Sequence, residues 1–392
     1  MVRKKKTGPQ ARSKPAKKSG STKRYAVHKR IIYRIILIVN SLLAILLLLS
    51  YLSPHIHPEK STIPSFLGLS YPLLALINLG FVLFWLFFFR PYFIISLVAL
   101  IAGLNHVSAY FQIHSPVELS ERNIVAKVMS YNVQMFNLFQ WNKDEKSLSG
   151  ILQAVEDQAP DILCIQEFYQ DKQSRNSIGK RIRKIHKLEK THIKYWRETE
   201  KHGFGMATFT SLPIARREEL LVQEDPKMYA LVTDVVSGAD TLRVFNIHLS
   251  SYNFGKHDYE IVEGIIEKKD ATSIRSGSLR VLRKLHQGFK ARGGQADLIG
   301  EAVAASPYPV IICGDFNEVP SGYAYNRIKS GLKDAFMESG AGLGRSFKGI
   351  FPSYRIDYIL HDPVYQSINF KVYDYTGSDH NPIVAYITKP VN

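Results

Sequence analysis

The sequence predicts an α/β domain behind a membrane-type N-terminal segment. Three observations carry this reading: apolar runs of transmembrane length before residue 112, a change near Ile124 to short β-rich apolar runs separated by polar helical stretches, and a basic excess confined to the chain's start. With 45% apolar and 22% charged residues and two cysteines in 392, the chain is neither a disulfide-framed miniprotein nor wholly disordered. A net charge of +17 suggests a nucleic-acid binder until it is located. Residues 1–34 hold thirteen Lys and Arg and no acid, residues 35–112 add a net one, and +3 remains for residues 113–392.

Residues 1–30 have almost nothing to bury and are expected to be a disordered basic tail. It reads as a solvated topogenic tail in preference to an RNA or lipid head-group contact. Three apolar runs follow, at 31–52, 65–89 and 91–111, within a transmembrane region 31–112. The first holds one charge, Arg34, and the second none; the third is weaker, with Asn105 and His106. A helix of the first run's length crosses about 30 Å of hydrocarbon. That length and the two further runs argue against a cleaved signal peptide. Positive flanks resist translocation, so the N-terminus is placed in the cytoplasm. Three crossings return Arg90 to the same side and put everything after 112 outside a membrane expected to be a bacterial inner membrane.

Residues 113–123 read as a linker. Strands are expected at 124–131, 162–166, 206–210, 230–236, 242–249, 310–314, 356–360, 368–373 and 383–387, with helices at 144–159 and 272–304, the latter interrupted at Gly293-Gly294. Strands this numerous imply two packed sheets flanked by helices. Two-residue alternation puts Cys313 on the face of Asp315 and turns Cys164 away from that of Glu167, which argues against a disulfide between them. Both are expected to be buried thiols.

Several apolar strands end in groups that bind hard cations and handle phosphate: Tyr131-Asn132, Gln166-Glu167, Asp315 with Asn317, Asn246 with His248, Asp357, and Ser378-Asp379-His380. Singly, each is more often a turn or a solvated residue. Together, at one set of strand ends, they build a cleft. Oxygen donors without a Cys/His quartet suit Mg²⁺ or Mn²⁺, and two histidines with nearby acids can move protons and stabilise charge. Phosphate ester hydrolysis is the chemistry this set supports.

The ordered stretches YNVQMFN, DILCIQE, GMATFTSLPI, FNIHLSS, VIICGDFNEVP, YRIDYIL and SDHNPI resemble the endonuclease/exonuclease/phosphatase superfamily across 124–390. The resemblance implies a four-layer α/β sandwich with two central, mainly antiparallel sheets. It implies Glu167 as the principal metal carboxylate, Asn132 as the amide supporting the metal site, and Asp379 near the metal. It further implies Asp315 and Asn317 as the pair serving water or leaving group and phosphate, His248 on the scissile phosphate, and Asp357 orienting His380. The resemblance leaves open which of Asp315 and His380 is the general base. The implied reaction is attack by water in line, assisted by Mg²⁺ on Glu167. The substrate is a phosphate ester, either a phospholipid or sphingolipid head group or nucleic acid. The basic run 175–190, with seven Lys and Arg and one acid, reads as a solvated face in preference to a polyanion site. An inactive, membrane-bound interaction protein is the alternative, and it predicts missing ligands.

Overall fold

The computed structural model describes residues 20–119, 123–137, 145–221, 229–252, 254, 271–349 and 354–390. The expected tail at 1–19 and linker residues 120–122 lie outside the described residues. Helix α1, Gly20–Ser50, takes in residues 20–30, which were expected to be disordered. Lys and Arg are good helix formers, so a helix nucleated by the apolar run extends back through them.

Among the described residues one helical stretch, His28–His55, is long and apolar enough to cross a membrane. The run 65–89 instead forms two helices, α2 (Ile63–Leu69) and α3 (Tyr71–Phe87), bent by 63° at a break where Pro72 starts α3. The run 91–111 gives only the ten-residue α4 (Phe93–Ala102) and one turn, α5 (Leu104–Val107), separated at Gly103. It is shorter than the crossing helix expected. The three legs nevertheless run side by side. Tyr33 meets Trp85 and Phe88, and Trp85 meets Tyr92, at one end; Tyr51 meets Tyr71 and His106 at the other. Between these ends their polar groups face inward: Trp85 Nε1 donates to Asn40 Oδ1 (2.7 Å), Asn40 Nδ2 to Ser96 Oγ (2.6 Å), and Ser96 Oγ to Asn78 Oδ1 (2.8 Å).

The remainder is a sandwich. One sheet runs in the order β13 (Gln366–Val372), β14 (Ile383–Thr388), β2 (Ile124–Asn132), β3 (Ile162–Asp171), β5 (His202–Thr210), β4 (Lys190–Glu198). The other runs β10 (Lys333–Asp334), β12 (Asp357–His361), β9 (Val310–Asp315), β8 (Asp240–His248), β7 (Tyr229–Ser237), β6 (Ile214–Leu221). A two-stranded pair joins β1 (Gln112–Ile113) to β11 (Ala341–Gly342). Pairing is antiparallel except between β2 and β3 and between β8 and β9. Parallel neighbours need a crossover, which α6 (Glu145–Gln158) gives the first pair and α8 (Ala271–Ala304) the second.

Alternation then builds three apolar layers. Ala126, Val128, Ile162, Cys164, Val244, Ile311, Cys313 and Ile359 fill the space between the sheets. Met129, Leu163 and Ile165 pack outward on α6 residues such as Ile151 and Val155. Phe245, Val310 and Ile312 pack on α8 residues such as Ala296 and Ile299. Both faces of these strands are covered, which is why they read as continuous apolar runs. The sequence missed β4 and β6 because edge strands carry charge, as in KTHIKYWRE and IARREELL. It also missed the short helices α7 (Ile178–Lys184), α9 (Tyr323–Lys329) and α10 (Ala335–Ser339).

Two further expectations are corrected. Helix α8 continues through Gly293-Gly294, where a Cβ on Gly293 would lie 3.0 Å from Pro58 Cδ. Close packing there outweighs a helix penalty of about 1 kcal/mol per glycine. The cysteines share the inter-sheet core and touch, so they do not face apart. The cause is a bulge between Ile165 and Phe168, which moves Glu167 and leaves Cys164 facing inward.

Gly314 has a specific duty in this sandwich, since a Cβ there would lie 2.0 Å from the carbonyl oxygen of Ile247 on the paired strand. Gly314→Ala is expected to destabilise the full chain by about 1–3 kcal/mol or more. An unchanged denaturant midpoint would contradict this account of the β8–β9 junction.

Candidate active site

The two parallel pairs end at the same edge of the sandwich. In one sheet Asn132 pairs with Gln166, beside Glu167; in the other His248, Asp315 and Asp357 lie in one row across β8, β9 and β12. By alternation Asn132, His248, Asp315 and Asp357 continue the inward face of their strands. Glu167 would point outward, but the bulge and its left-handed backbone (φ 50°) return it to the gap. Asp379 and His380 enter from the loop before β14. The eight residues to which the resemblance gives roles therefore lie at this edge.

Asp315 is the hub. Its Oδ1 accepts the Asn317 backbone N–H (2.8 Å), and its Oδ2 accepts from Asn132 Nδ2 (2.9 Å) and Asn317 Nδ2 (3.2 Å). Nε2 of His248 and Nε2 of His380 each lie 3.7 Å from Oδ2. Burial pushes the Asp315 carboxyl up, His380 opposes the shift, and Asp357 adds to it. His380 Nδ1 is 2.9 Å from Asp357 Oδ2. Burial disfavours its charge, but Asp357 and Asp315 outweigh that and push the imidazole up to about 10.

Asn317 adopts φ 48°, a turn that asparagine tolerates, and its Nδ2 also donates to the Leu249 carbonyl (3.0 Å). Asn132 holds two carboxylates rather than presenting its oxygen to the cleft: Nδ2 also reaches Glu167 Oε1 at 3.4 Å, while Oδ1 accepts the Gln134 N–H. Sequence reasoning passed over Gln134, whose Nε2 donates to Asp379 Oδ2 (3.0 Å) from a turn in which residues 134–137 are all left-handed. Such a turn costs about 1–2 kcal/mol per non-glycine residue, a strain typical of functional sites. It also passed over Phe347, whose ring lies 5.1 Å from that of His380. Nothing in the hydropathy of these residues marks them; the resembling stretch YNVQMFN contains the first. Gln166 and Asn246 face each other behind the site (2.7 Å) and tie the sheets together.

The donor set fits a hard divalent cation. Glu167, Asp379 and Asp315 offer carboxylate oxygens, and both thiols are buried in the core. The buried Nε2 of His248 has no hydrogen-bond partner among the described residues and lies 3.7 Å from both Glu167 Oε1 and Asp315 Oδ2. A ring nitrogen facing two carboxylates suits a site that a charged ligand completes. Among the described residues, the one trio of acid and histidine groups whose ligand atoms all lie within 4.8 Å of one another is Asp315, Asp357 and His380. That trio reads better as a proton-holding chain, because Asp357 already engages His380 Nδ1.

A family model described as Endonuclease/Exonuclease/phosphatase family matches residues 129–380. The chain belongs to that family. Its domain is accordingly a hydrolase acting on phosphate ester bonds, and the expected inter-sheet architecture agrees with the family's fold. A second model, a domain of unknown function (DUF8431), matches residues 33–110. No curated protein matches. Among solved structures, the family protein from Bacteroides thetaiotaomicron is similar at 17% identity, over 68% of this chain and 98% of that one, with a TM-score of 0.47. Truncated TDP2 from Caenorhabditis elegans is similar at 17% identity, over 67% and 97%, with a TM-score of 0.45.

The His380–Asp357 contact makes a pH prediction. A histidine raised from 6.5 to about 10 gives stability that is fully present below pH 6.5 and lost as pH rises through about 10. In chelator, the stability gap between the native chain and His380→Asn should shrink over that window. A gap that stays flat or widens would contradict the pairing.

Proposed function

We propose that the protein is a membrane-anchored, divalent-metal-dependent phosphoesterase that hydrolyses a phosphodiester or phosphomonoester by in-line attack of water. The observation that carries this is the convergence of Glu167, Asp315, His248 and His380, from both sheets, within a few ångströms of one another. Glu167 and Asp379, with Asn132 holding Glu167 in place, would bind Mg²⁺ or Mn²⁺, which supplies Lewis-acid stabilisation of phosphoryl charge. Asp315 takes the proton of the attacking water. Burial makes it a stronger base, and the neighbouring His380, raised to about 10, already carries its proton at neutral pH. His248 and His380 stabilise charge developing on the phosphate, while Asn317, whose amide hydrogens go to the Leu249 carbonyl and Asp315 Oδ2, holds the base in place. Asp357 keeps His380 oriented and charged.

The anchor reading is three passes with the catalytic domain outside, in a bacterial inner membrane. Its support is the side-by-side packing of the legs with buried asparagines and outward Leu and Ile, a pattern suited to lipid. Lys29 and Arg90 lie over the Tyr33 ring at the end remote from the catalytic domain, in keeping with the positive-inside rule. Tyr33 and Tyr51, at the two ends, are eighteen residues apart, about 27 Å of helix. Substrate remains a class, nucleic acid or lipid head group, and tethering favours the lipid. In the basic run 175–190, α7 buries Ile178 and Ile182 while Lys180, Arg183 and Lys184 are exposed, as a solvated face would be.

Purified full chain should hydrolyse bis(p-nitrophenyl) phosphate only with Mg²⁺ or Mn²⁺, and Glu167→Ala or Asp315→Asn should each cut the rate by at least about 10²-fold. Absence of metal-dependent turnover, or full activity in Glu167→Ala, would favour the inactive binding protein. A reporter fused after residue 392 should be active only outside the cytoplasm; a cytoplasmic signal would overturn the orientation.

A further inference from the structure

The side of α8 that fastens the catalytic domain to the N-terminal region extends beyond its partners. His286 meets Thr62 (2.8 Å), Phe289 packs edge-on against Phe66 (5.1 Å), Lys290 pairs with Glu59 (3.0 Å), Gly293 abuts Pro58, and Asp297 pairs with His57 (3.3 Å). Spacings of three and four mark one helix face. One and two turns toward the N-terminus the same face presents Leu282 and Leu279, which are 48% and 58% exposed, flanked by exposed Arg280 and Arg283. Neighbouring Ile63, at the start of α2, is 70% exposed. The outward apolar belt of α1 reaches Leu52, immediately before the 57–66 segment on which α8 sits.

We infer that the N-terminal half of α8 seats on the surface of an anionic bilayer, with Leu279 and Leu282 entering the interface and Arg283 meeting lipid phosphates. Continuity argues for lipid: the same helix face is already fastened to the segment that joins the apolar legs. Charge argues for anionic lipid, because apolar residues interleaved with arginine are the composition of interfacial helices. Beside this face, α8 packs on the outer surface of the sheet that carries His248 and Asp315. Arg292 Nη1 donates to the Ser250 carbonyl (2.9 Å) and its Nη2 to Tyr252 Oη (2.7 Å), holding the loop that follows His248. One helix thus joins the bilayer surface to a catalytic strand end, and the site works beside the head-group layer. The inference rests on the membrane reading of the apolar legs.

The test uses the full chain with single cysteines at Leu282, Ala291 and Leu42, each carrying a nitroxide. Cys164 and Cys313 are fully buried and stay unlabelled. In vesicles of phosphatidylcholine with phosphatidylglycerol, oxygen collision relative to a water-soluble nickel chelate reports depth. The Leu282→Cys label is expected to show a several-fold higher ratio than the label at Ala291, which is exposed on the other side of α8. Removing phosphatidylglycerol, or the change Arg283→Glu, should bring the ratio down. A Leu282→Cys label as open to the chelate as Ala291→Cys, while Leu42→Cys lies in lipid, would overturn the seat and leave the anchor standing. A Leu42→Cys label open to the chelate would overturn both. Native hydrolysis of a soluble ester by each labelled chain certifies its fold.

Discussion

A carboxylate buried between two sheets has to be compensated from both of them, and Asp315 is so placed. Taking a charge out of water is expensive unless hydrogen bonds and opposite charge return the lost solvation. Asn317 from its own strand end and Asn132 from the facing sheet supply the bonds, and two imidazoles flank it. The Asn132 contact, at 2.9 Å, ties the relative position of the sheets to the chemistry. Parallel pairing of β2 with β3 and of β8 with β9 is what lets all four strand ends arrive at one edge.

The N-terminal region is fastened close to that edge. Ser321, shortly after Asn317, donates to the Gly68 carbonyl and bonds Tyr110. Arg355, two residues before Asp357, donates to the Ala109 carbonyl, and Tyr354 donates to that of Leu69. Contacts from 57–69 and 109–110 thus reach the same loops that carry the catalytic side chains. These bonds hold the N-terminal region and the loops that carry Asn317 and Asp357 in one arrangement.

Much of the sandwich could be read from the chain, for a physical reason. Strands covered on both faces, such as VIICGD and DILCIQE, are apolar throughout and end abruptly in the residues that face the gap. The edge strands were hidden because solvent permits charge there, and the cysteine faces were misjudged because a bulge has no hydropathy signature. Among site residues, acids, amides and histidines at strand ends were legible through their chemistry and family resemblance. Gln134 was not, since its part depends on a left-handed turn that residue types do not announce. In the N-terminal third the apolar runs were legible as composition, while the break at Gly103 follows close packing on Tyr51 and the bend falls where Pro72 starts α3.

The central claim is that a divalent cation is held at Glu167, beside Asp315 and His248. Anomalous diffraction from crystals soaked in Mn²⁺ tests it most directly. The expected result is a single strong peak bonded to the Glu167 carboxylate, lost in Glu167→Gln. A peak seated instead among Asp315, Asp357 and His380, with Glu167 free, would contradict the account.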